Sequence, residues 1–376
     1  MIKSNSQSIK IQNTNLLIKT LIEVQETSRI ELARLTTLNK ATVSSIISDL
    51  IEKKLVIETS KTIRTSGRSA NIIALNKQAG CIFSLELQPN QIISAITNLY
   101  GEILYEFQLP IEDSTFEVYL KELLTVVDTL KSNTPNTIYG IIGIGIGIYG
   151  IIGIDEKIKY TPYNNWKDID LKKIIEDYTG IATYVQNEAN ISALGENISF
   201  PSQRNIVSIT IGIGVGMGII INNKLYVGSD GYAGELGHTI VHPGGRNCVC
   251  GNQGCLETYI KNSAIINQYK YQTNEIITIE EFTNRCKRND PYAVKIYSEF
   301  INYVSITINN VSQILNPTAI VINSYIIENI TGSISLIKGN LNSNLMNLEI
   351  LTLSKFKSKT NILGLANLLI KDFLYL

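Results

Sequence analysis

Two long stretches of this chain carry no charged side chain, one between Lys131 and Asp155 and the other between Arg204 and Lys224. Either would be long enough to cross a bilayer as a helix. Their periodicity excludes that use. Ile144-Gly-Ile-Gly-Ile148 and Ile211-Gly-Ile-Gly-Val-Gly-Met-Gly218 alternate with period two and are dense in glycine, a poor helix former. Such runs suit strands buried on both faces of a sheet, the usual setting of strands in α/β proteins. The expected fold class is therefore α/β, with no membrane span.

Charge is distributed unevenly. The 376 residues balance 33 Lys and Arg against 33 Asp and Glu, yet residues 1–75 hold 11 basic and 6 acidic side chains. A small basic module thus precedes a larger acidic one, and a basic module is the electrostatic footprint of nucleic-acid binding. Within it, Leu17, Ile18, Leu21, Ile22 and Val24 form a helical stripe. Ser28-Arg-Ile-Glu31 is a capping box, in which Ser28 accepts from the N3 amide and Glu31 reaches back, predicting a short helix through Leu35. A third helix follows, because Val43, Ile46, Ile47, Leu50 and Ile51 share one face and Lys40, Thr42, Ser44, Ser45 and Ser48 the other.

Leu55-Val-Ile57 and Ile72-Ile-Ala-Leu75 then flank a polar segment holding Lys61, Arg64, Gly67 and Arg68, as two strands flank the tip of a wing. Three helices and a basic hairpin read as a winged helix-turn-helix. The bland alternative is a small helical protein-interaction unit. On the DNA-binding reading, Lys40, Thr42, Ser44 and Ser45 face the major groove, and Arg64 and Arg68 face phosphate or the minor groove.

From Cys81 the pattern changes to three strand-like runs, ending near Tyr105, and then a helix over residues 115–130. A similar start recurs 125 residues later at Ile206, with a strand, a glycine-rich crossing and a hairpin turned at Asn222-Asn223. Residues 76–376 are therefore expected to hold two related α/β lobes with a junction near 187, and to take a ligand in the cleft between them.

His238, Cys248, Cys250 and Cys255 supply one imidazole and three thiolates, the inventory of a closed structural zinc site. Gly244, Gly245, Gly251 and Gly254 allow the tight turns that such close spacing demands. The alternative is three buried cysteines beside a satisfied core histidine. A free thiolate cluster belongs in a reducing compartment, and Met1-Ile-Lys-Ser-Asn-Ser-Gln7 has no apolar signal region, so a cytoplasmic protein is expected. His242, the only other histidine, is a competing candidate ligand and is read as a loop residue.

Gly234-Glu-Leu-Gly-His-Thr-Ile-Val-His-Pro-Gly-Gly-Arg-Asn-Cys-Val-Cys-Gly-Asn-Gln-Gly-Cys-Leu-Glu257 resembles the signature of the ROK family of repressors and sugar kinases. The resemblance implies an actin-like (ribonuclease H-like) two-lobed domain with a structural zinc behind the winged helix-turn-helix. It assigns Glu235, His238 and Glu257 to sugar hydroxyls, with His238 also a zinc ligand. Gln186-Asn-Glu-Ala-Asn190, followed by Ala193-Leu-Gly-Glu196, resembles the family segment that holds a sugar-binding Asn and a catalytic carboxylate, here Asn187 and Glu188. Family kinases carry Asp at that carboxylate, and the extra methylene of Glu188 would displace a general base.

The phosphate loops separate repressor from kinase. Where family kinases have an Asp-x-Gly-x-Thr-like run, this chain reads Glu86-Leu-Gln-Pro-Asn90, with no glycine, no hydroxyl and a proline lacking N–H. The second loop, Thr210 to Gly218, keeps its glycines but has Ile213 where Thr or Ser is usual, and its glycines read as spacers for tightly crossing strands. No catalytic residue is assigned, and a sugar kinase is the alternative reading.

Leu38-Asn-Lys-Ala-Thr-Val-Ser-Ser45, Thr161-Pro-Tyr-Asn-Asn-Trp-Lys-Asp-Ile-Asp-Leu171 and Gln186–Asn190 are similar to the xylose repressors of low-GC Gram-positive bacteria, a resemblance running over residues 13–376. It implies a homodimer on operator DNA with D-xylose as inducer, glucose or an N-acetylated sugar being the alternatives. Two departures stand out. Ser66-Gly-Arg-Ser-Ala70 replaces a Gly-Gly-Arg-Arg-Pro wing pattern, and Tyr149 stands where a proline usually precedes Gly150.

Overall fold

The structure, a computed structural model, describes the backbone of residues 6–65 and 68–374 and the side chains of residues 8–59 and 71–374. Its first unit begins with α1 (Ser6–Val24), a left-handed Gln25 and a short strand β1 (Glu26–Ser28). Ser28 caps α2 (Arg29–Thr36) by accepting from Glu31 N at 3.2 Å. The reciprocal half of the capping box does not form, because the Glu31 carboxylate instead accepts two N–H groups of Arg34, at 2.6 and 2.9 Å. Charge-assisted bonds to a guanidinium outcompete a neutral backbone donor. Thr37 turns the chain at positive φ, and Asn39 caps α3 (Lys40–Glu52) by accepting from Thr42 N at 2.7 Å.

Leu17, Leu21, Leu32, Val43 and Ile47 bury one face of each helix in a shared core. β2 (Val56–Thr65) and β3 (Arg68–Leu75) pair as an antiparallel hairpin, and β1 lies on the other edge of β3.

The first lobe starts with the antiparallel β4 (Cys81–Gln88), β5 (Gln91–Asn98) and β6 (Ile103–Pro110), covered by α4 (Phe116–Ser132). β7 (Ile141–Ile148), from the first uncharged stretch, then pairs parallel to β4. A small sheet of β8 (Ile151–Ile152), β9 (Ile158–Tyr160) and β10 (Lys167–Ile169) leads to α5 (Leu171–Thr179) and β11 (Thr183–Asn187), completing the order β11-β7-β4-β5-β6. α6 (Glu188–Ile198) carries the chain across to the second lobe.

There, β12 (Ile206–Ile211), β13 (Val215–Ile221) and β14 (Lys224–Leu225) turn at Asn222 and Asn223, both left-handed, as expected of a tight hairpin. α7 (Glu257–Ile260), α8 (Asn262–Thr273), α9 (Ile279–Lys287) and α10 (Pro291–Leu315) follow, then β15 (Ala319–Ser324), α11 (Tyr325–Asn329), α12 (Ser333–Gly339) and β16 (Ile350–Leu353). The sheet order is β14-β13-β12-β15-β16, so each lobe is built on a five-stranded sheet.

The last helix, α13 (Thr360–Phe373), returns to the first lobe. Leu365 and Leu369 pack on the β7 glycines, while Ala366, Ile370 and Leu374 enter the core of the first unit. Its contact with α6 is glycine-tight: a Cβ at Gly195 would stand 2.3 Å from Thr360 O, and one at Gly364 would stand 2.1 Å from Ile191 O. Gly216 and Gly218 serve a similar purpose, letting β13 approach helix α6 rather than a crossing strand: a Cβ at Gly216 would stand 2.7 Å from Ala189 Cβ and one at Gly218 2.2 Å from Ala189 O, whereas Gly212 has no such neighbour. Both uncharged stretches are thus sheet strands, and no helix among the described residues is long and apolar enough to cross a membrane.

Candidate functional site

Asn187, Glu188, Glu235, His238 and Glu257 come from three separate segments and line one cleft of about 350 Å³ between the lobes. The end of β11 and the start of α6 place the first pair. Asn187 is the N-cap: its Oδ1 accepts from Ala189 N at 2.8 Å and Asn190 N at 3.3 Å, and its Nδ2 donates to Gly150 O at 2.7 Å. That leaves one side-chain N–H for a ligand.

Glu188 is 7% exposed. Burial, then the charges of Glu235 and Glu86, push its carboxyl up to about 8, against weaker opposition from the backbone N–H groups that begin α6. At neutral pH it therefore holds a proton and can donate as well as accept. Glu86, beside it, accepts from Tyr149 Oη at 2.7 Å and from Gln88 Nε2 at 2.9 Å. The Glu235 carboxyl is also raised, by burial and by Glu257, with His238 pulling the other way. Carboxyl groups crowded in this way suit a neutral ligand rich in hydroxyls, each able to donate and accept.

The second lobe holds a four-group cluster behind these carboxylates. His238, Cys248, Cys250 and Cys255 each offer one ligand atom, all within 4.8 Å of one another. Cys250 Sγ lies 3.6 Å from Cys255 Sγ, and His238 Nδ1 lies 3.5 Å from Cys248 Sγ. Tetrahedral zinc with ordinary bond lengths requires edges of about 3.8 Å between sulfurs and about 3.6 Å between nitrogen and sulfur. The donor set and its spacing fit zinc.

Burial pushes the Cys248 thiol up to about 12, and it donates to Glu257 Oε1 at 3.2 Å. Gly254, at φ +83, is obligatory in this loop: a Cβ there would stand 1.8 Å from His242 O. His242 takes no part in the cluster; its ring stacks on Tyr259 and lies 3.4 Å from Tyr303 Oη. With Nδ1 turned to the cysteines, His238 presents Nε2 to the cleft, 3.9 Å from Glu235.

In the first unit, Lys40 and Ser45 on α3 are exposed, and Thr42 and Ser44 are half-buried on its outer side. Ser48 on the same helix accepts from Arg29 Nη1 at 3.2 Å. The side chains of Arg64 and Arg68 lie outside the described residues.

Tyr163 lines the cleft without having been expected there, and Tyr149 lines it too. Tyr163 donates its hydroxyl to Ile213 O, tying a first-lobe loop to the glycine turn of the second. A lone loop tyrosine has no spacing signal, whereas the substitution of a usual proline by Tyr149 did mark that position. Trp166, in the same run as Tyr163, is core instead. It is 5% exposed, meets Phe116 and Tyr119 edge to face, and donates to Ser114 O at 3.0 Å.

Comparison with known proteins agrees with this architecture. The chain is 31% identical over 372 residues to a xylose repressor of Bacillus subtilis, covering 97% of each chain. A crystal structure of a ROK family transcriptional regulator, a homologue of the Escherichia coli MLC protein, superposes with a TM-score of 0.82 at 26% identity, over 98% of this chain and 97% of that one. A ROK family glucokinase from Streptomyces griseus, solved with glucose and AMPPNP, shares the fold at a TM-score of 0.70 and 23% identity, over 77% of this chain and 99% of that one. The family model for ROK matches residues 83–372. From the paired lobes to the histidine and cysteine cluster behind the cleft, the chain belongs to the ROK family.

Proposed function

We propose that this chain is a non-catalytic, sugar-responsive repressor of xylose-utilisation genes. In this reading residues 1–75 form a winged helix-turn-helix for operator DNA, and the interlobe cleft takes D-xylose. The convergence of Glu188, Glu235, His238 and Glu257 on one cleft carries the reading. Its support from relatives is the full-length similarity to a xylose repressor and to a ROK regulator. A kinase lacks support at the phosphate loops, where Pro89 offers no N–H and Gly216 and Gly218 pack on α6.

Zinc held by His238, Cys248, Cys250 and Cys255 supplies structural cross-linking and fixes the histidine tautomer, with no chemistry at the sugar. The residues do the recognition. His238 Nε2–H donates, Glu235 and Glu257 accept, and protonated Glu188 does either. Lys40, Thr42, Ser44 and Ser45 would face the major groove, with Arg64 and Arg68 on the wing. Two such units in a homodimer would span an operator with two half-sites.

Sugar and DNA are then linked through lobe arrangement. A sugar that binds better to a form with misplaced DNA-binding units lowers operator affinity, and operator lowers sugar affinity by the same factor. Isothermal titration with D-xylose tests the cleft directly: Glu235→Ala should weaken sugar binding at least about tenfold, the loss of a charged hydrogen bond, and leave operator binding intact. Wild-type xylose affinity in that variant would refute the cleft assignment.

A further inference from the structure

A second cavity, of about 450 Å³, opens where the first unit meets the two lobes, and shares no residue with the cleft. Leu99, Ile198, Leu363 and Ile370 give it apolar walls from the β5–β6 turn, the end of α6 and α13. α1 closes the remaining side and brings Lys19, while α13 brings the half-buried Lys371. Neither ammonium has an ion-pair partner among the described residues, and Glu23, the one carboxylate in the wall, pairs with neither. Asn197, also in the wall, has its Oδ1 buried with no hydrogen-bond partner.

Lys19 is exposed at the rim, whereas the half-buried Lys371 has no counter-ion among the described residues beside an apolar hollow and is unfavourable as it stands. Burial first, then the nearby Lys19 charge, hold the Lys371 ammonium below its usual range. An anion between the two lysines relieves both costs, and an apolar body attached to it fills the hollow and displaces water from its walls. We propose that this junction is a binding site for a small organic anion with an apolar body, distinct from the sugar cleft.

Its position would make such a ligand a second effector. It would touch α1 of the first unit and α13 together, and α13 is locked by Gly195 and Gly364 to α6, whose first residue is Glu188 in the cleft.

The probe for this site is 8-anilinonaphthalene-1-sulfonate, titrated against the full chain by fluorescence. One saturable site per chain is expected. The double variant Lys19→Met, Lys371→Met should bind it about tenfold more weakly, the sum of two partly exposed ion pairs. N-phenyl-1-naphthylamine, which lacks the sulfonate, should bind both proteins alike. Ile198→Trp, at a partly exposed end of α6, fills the hollow and should abolish binding of either probe. Equal sulfonate affinity in wild type and double variant would overturn the anion site, and probe binding unaffected by Ile198→Trp would overturn its location. Circular dichroism of each variant confirms folding, and none of the readouts involves sugar or DNA, so failure here is distinguishable from failure of the cleft reading.

Discussion

Replacing Glu188 by Gln should make the protein more stable in alkali, by an amount that grows with pH. The native carboxyl is raised from 4.5 to about 8, so between those values the folded state binds a proton that the unfolded state has released. Stability from this group is therefore fully present below pH 4.5 and lost as pH rises through about 8. A displacement of that size corresponds to a ceiling of about 5 kcal/mol. Glu188→Gln keeps shape and hydrogen bonding but never ionises. Its stability relative to wild type should be close to level at pH 5 and favourable by about 3–5 kcal/mol at pH 9. Glu235, raised in the same cleft, steepens the wild-type profile but cancels to first order in the difference. Urea unfolding at several pH values, followed through Trp166, the single tryptophan and a first-lobe core residue, reads this difference. A difference that stays flat from about pH 5 to pH 9 would show Glu188 already ionised in the native cleft and refute the electrostatic argument.

Cys250→Ser should remove about one equivalent of zinc per chain and lower the melting temperature; unchanged metal content and melting temperature together would rule out the cluster as a zinc site. Gly195→Ala sets a methyl 2.3 Å from Thr360 O and should cost about 1–3 kcal/mol by overpacking α6 against α13, measured by urea unfolding. Tyr149→Phe strips the buried Glu86 carboxylate of its O–H donor and should cost about 1–3 kcal/mol, with no loss expected from Tyr226→Phe at an exposed position.

Local patterns in the sequence were readable where the physics is local. Period-two alternation in the Ile144 run identified a buried strand and Asn222-Asn223 a hairpin, because each depends only on neighbouring residues, whereas the Ile211 run is divided by a turn at residues 212–214 between β12 and β13. The cluster of His238, Cys248, Cys250 and Cys255, which could hold a metal ion, was legible for another reason: a histidine and three cysteines at close spacing have few other uses. Half of the Ser28 capping box was misread, since Arg34 takes the Glu31 carboxylate and no propensity rule records that competition.

What depends on distant contacts stayed hidden. Nothing near Thr360 announces that α13 leaves the second lobe, packs on β7 and completes the core of the first unit. The raised carboxyl of Glu188 likewise depends on burial and on groups distant in sequence, Glu235 and Glu86.

In the proposed function, a sugar in the interlobe cleft controls a DNA-binding first unit. The most direct test is fluorescence anisotropy of labelled DNA from upstream of the protein's own gene, titrated with protein at fixed salt, with and without D-xylose, D-glucose and N-acetylglucosamine. Specific DNA binding that D-xylose weakens is expected, with D-xylose affinity falling by the same factor when operator is present. Operator affinity unchanged by all three sugars would contradict it.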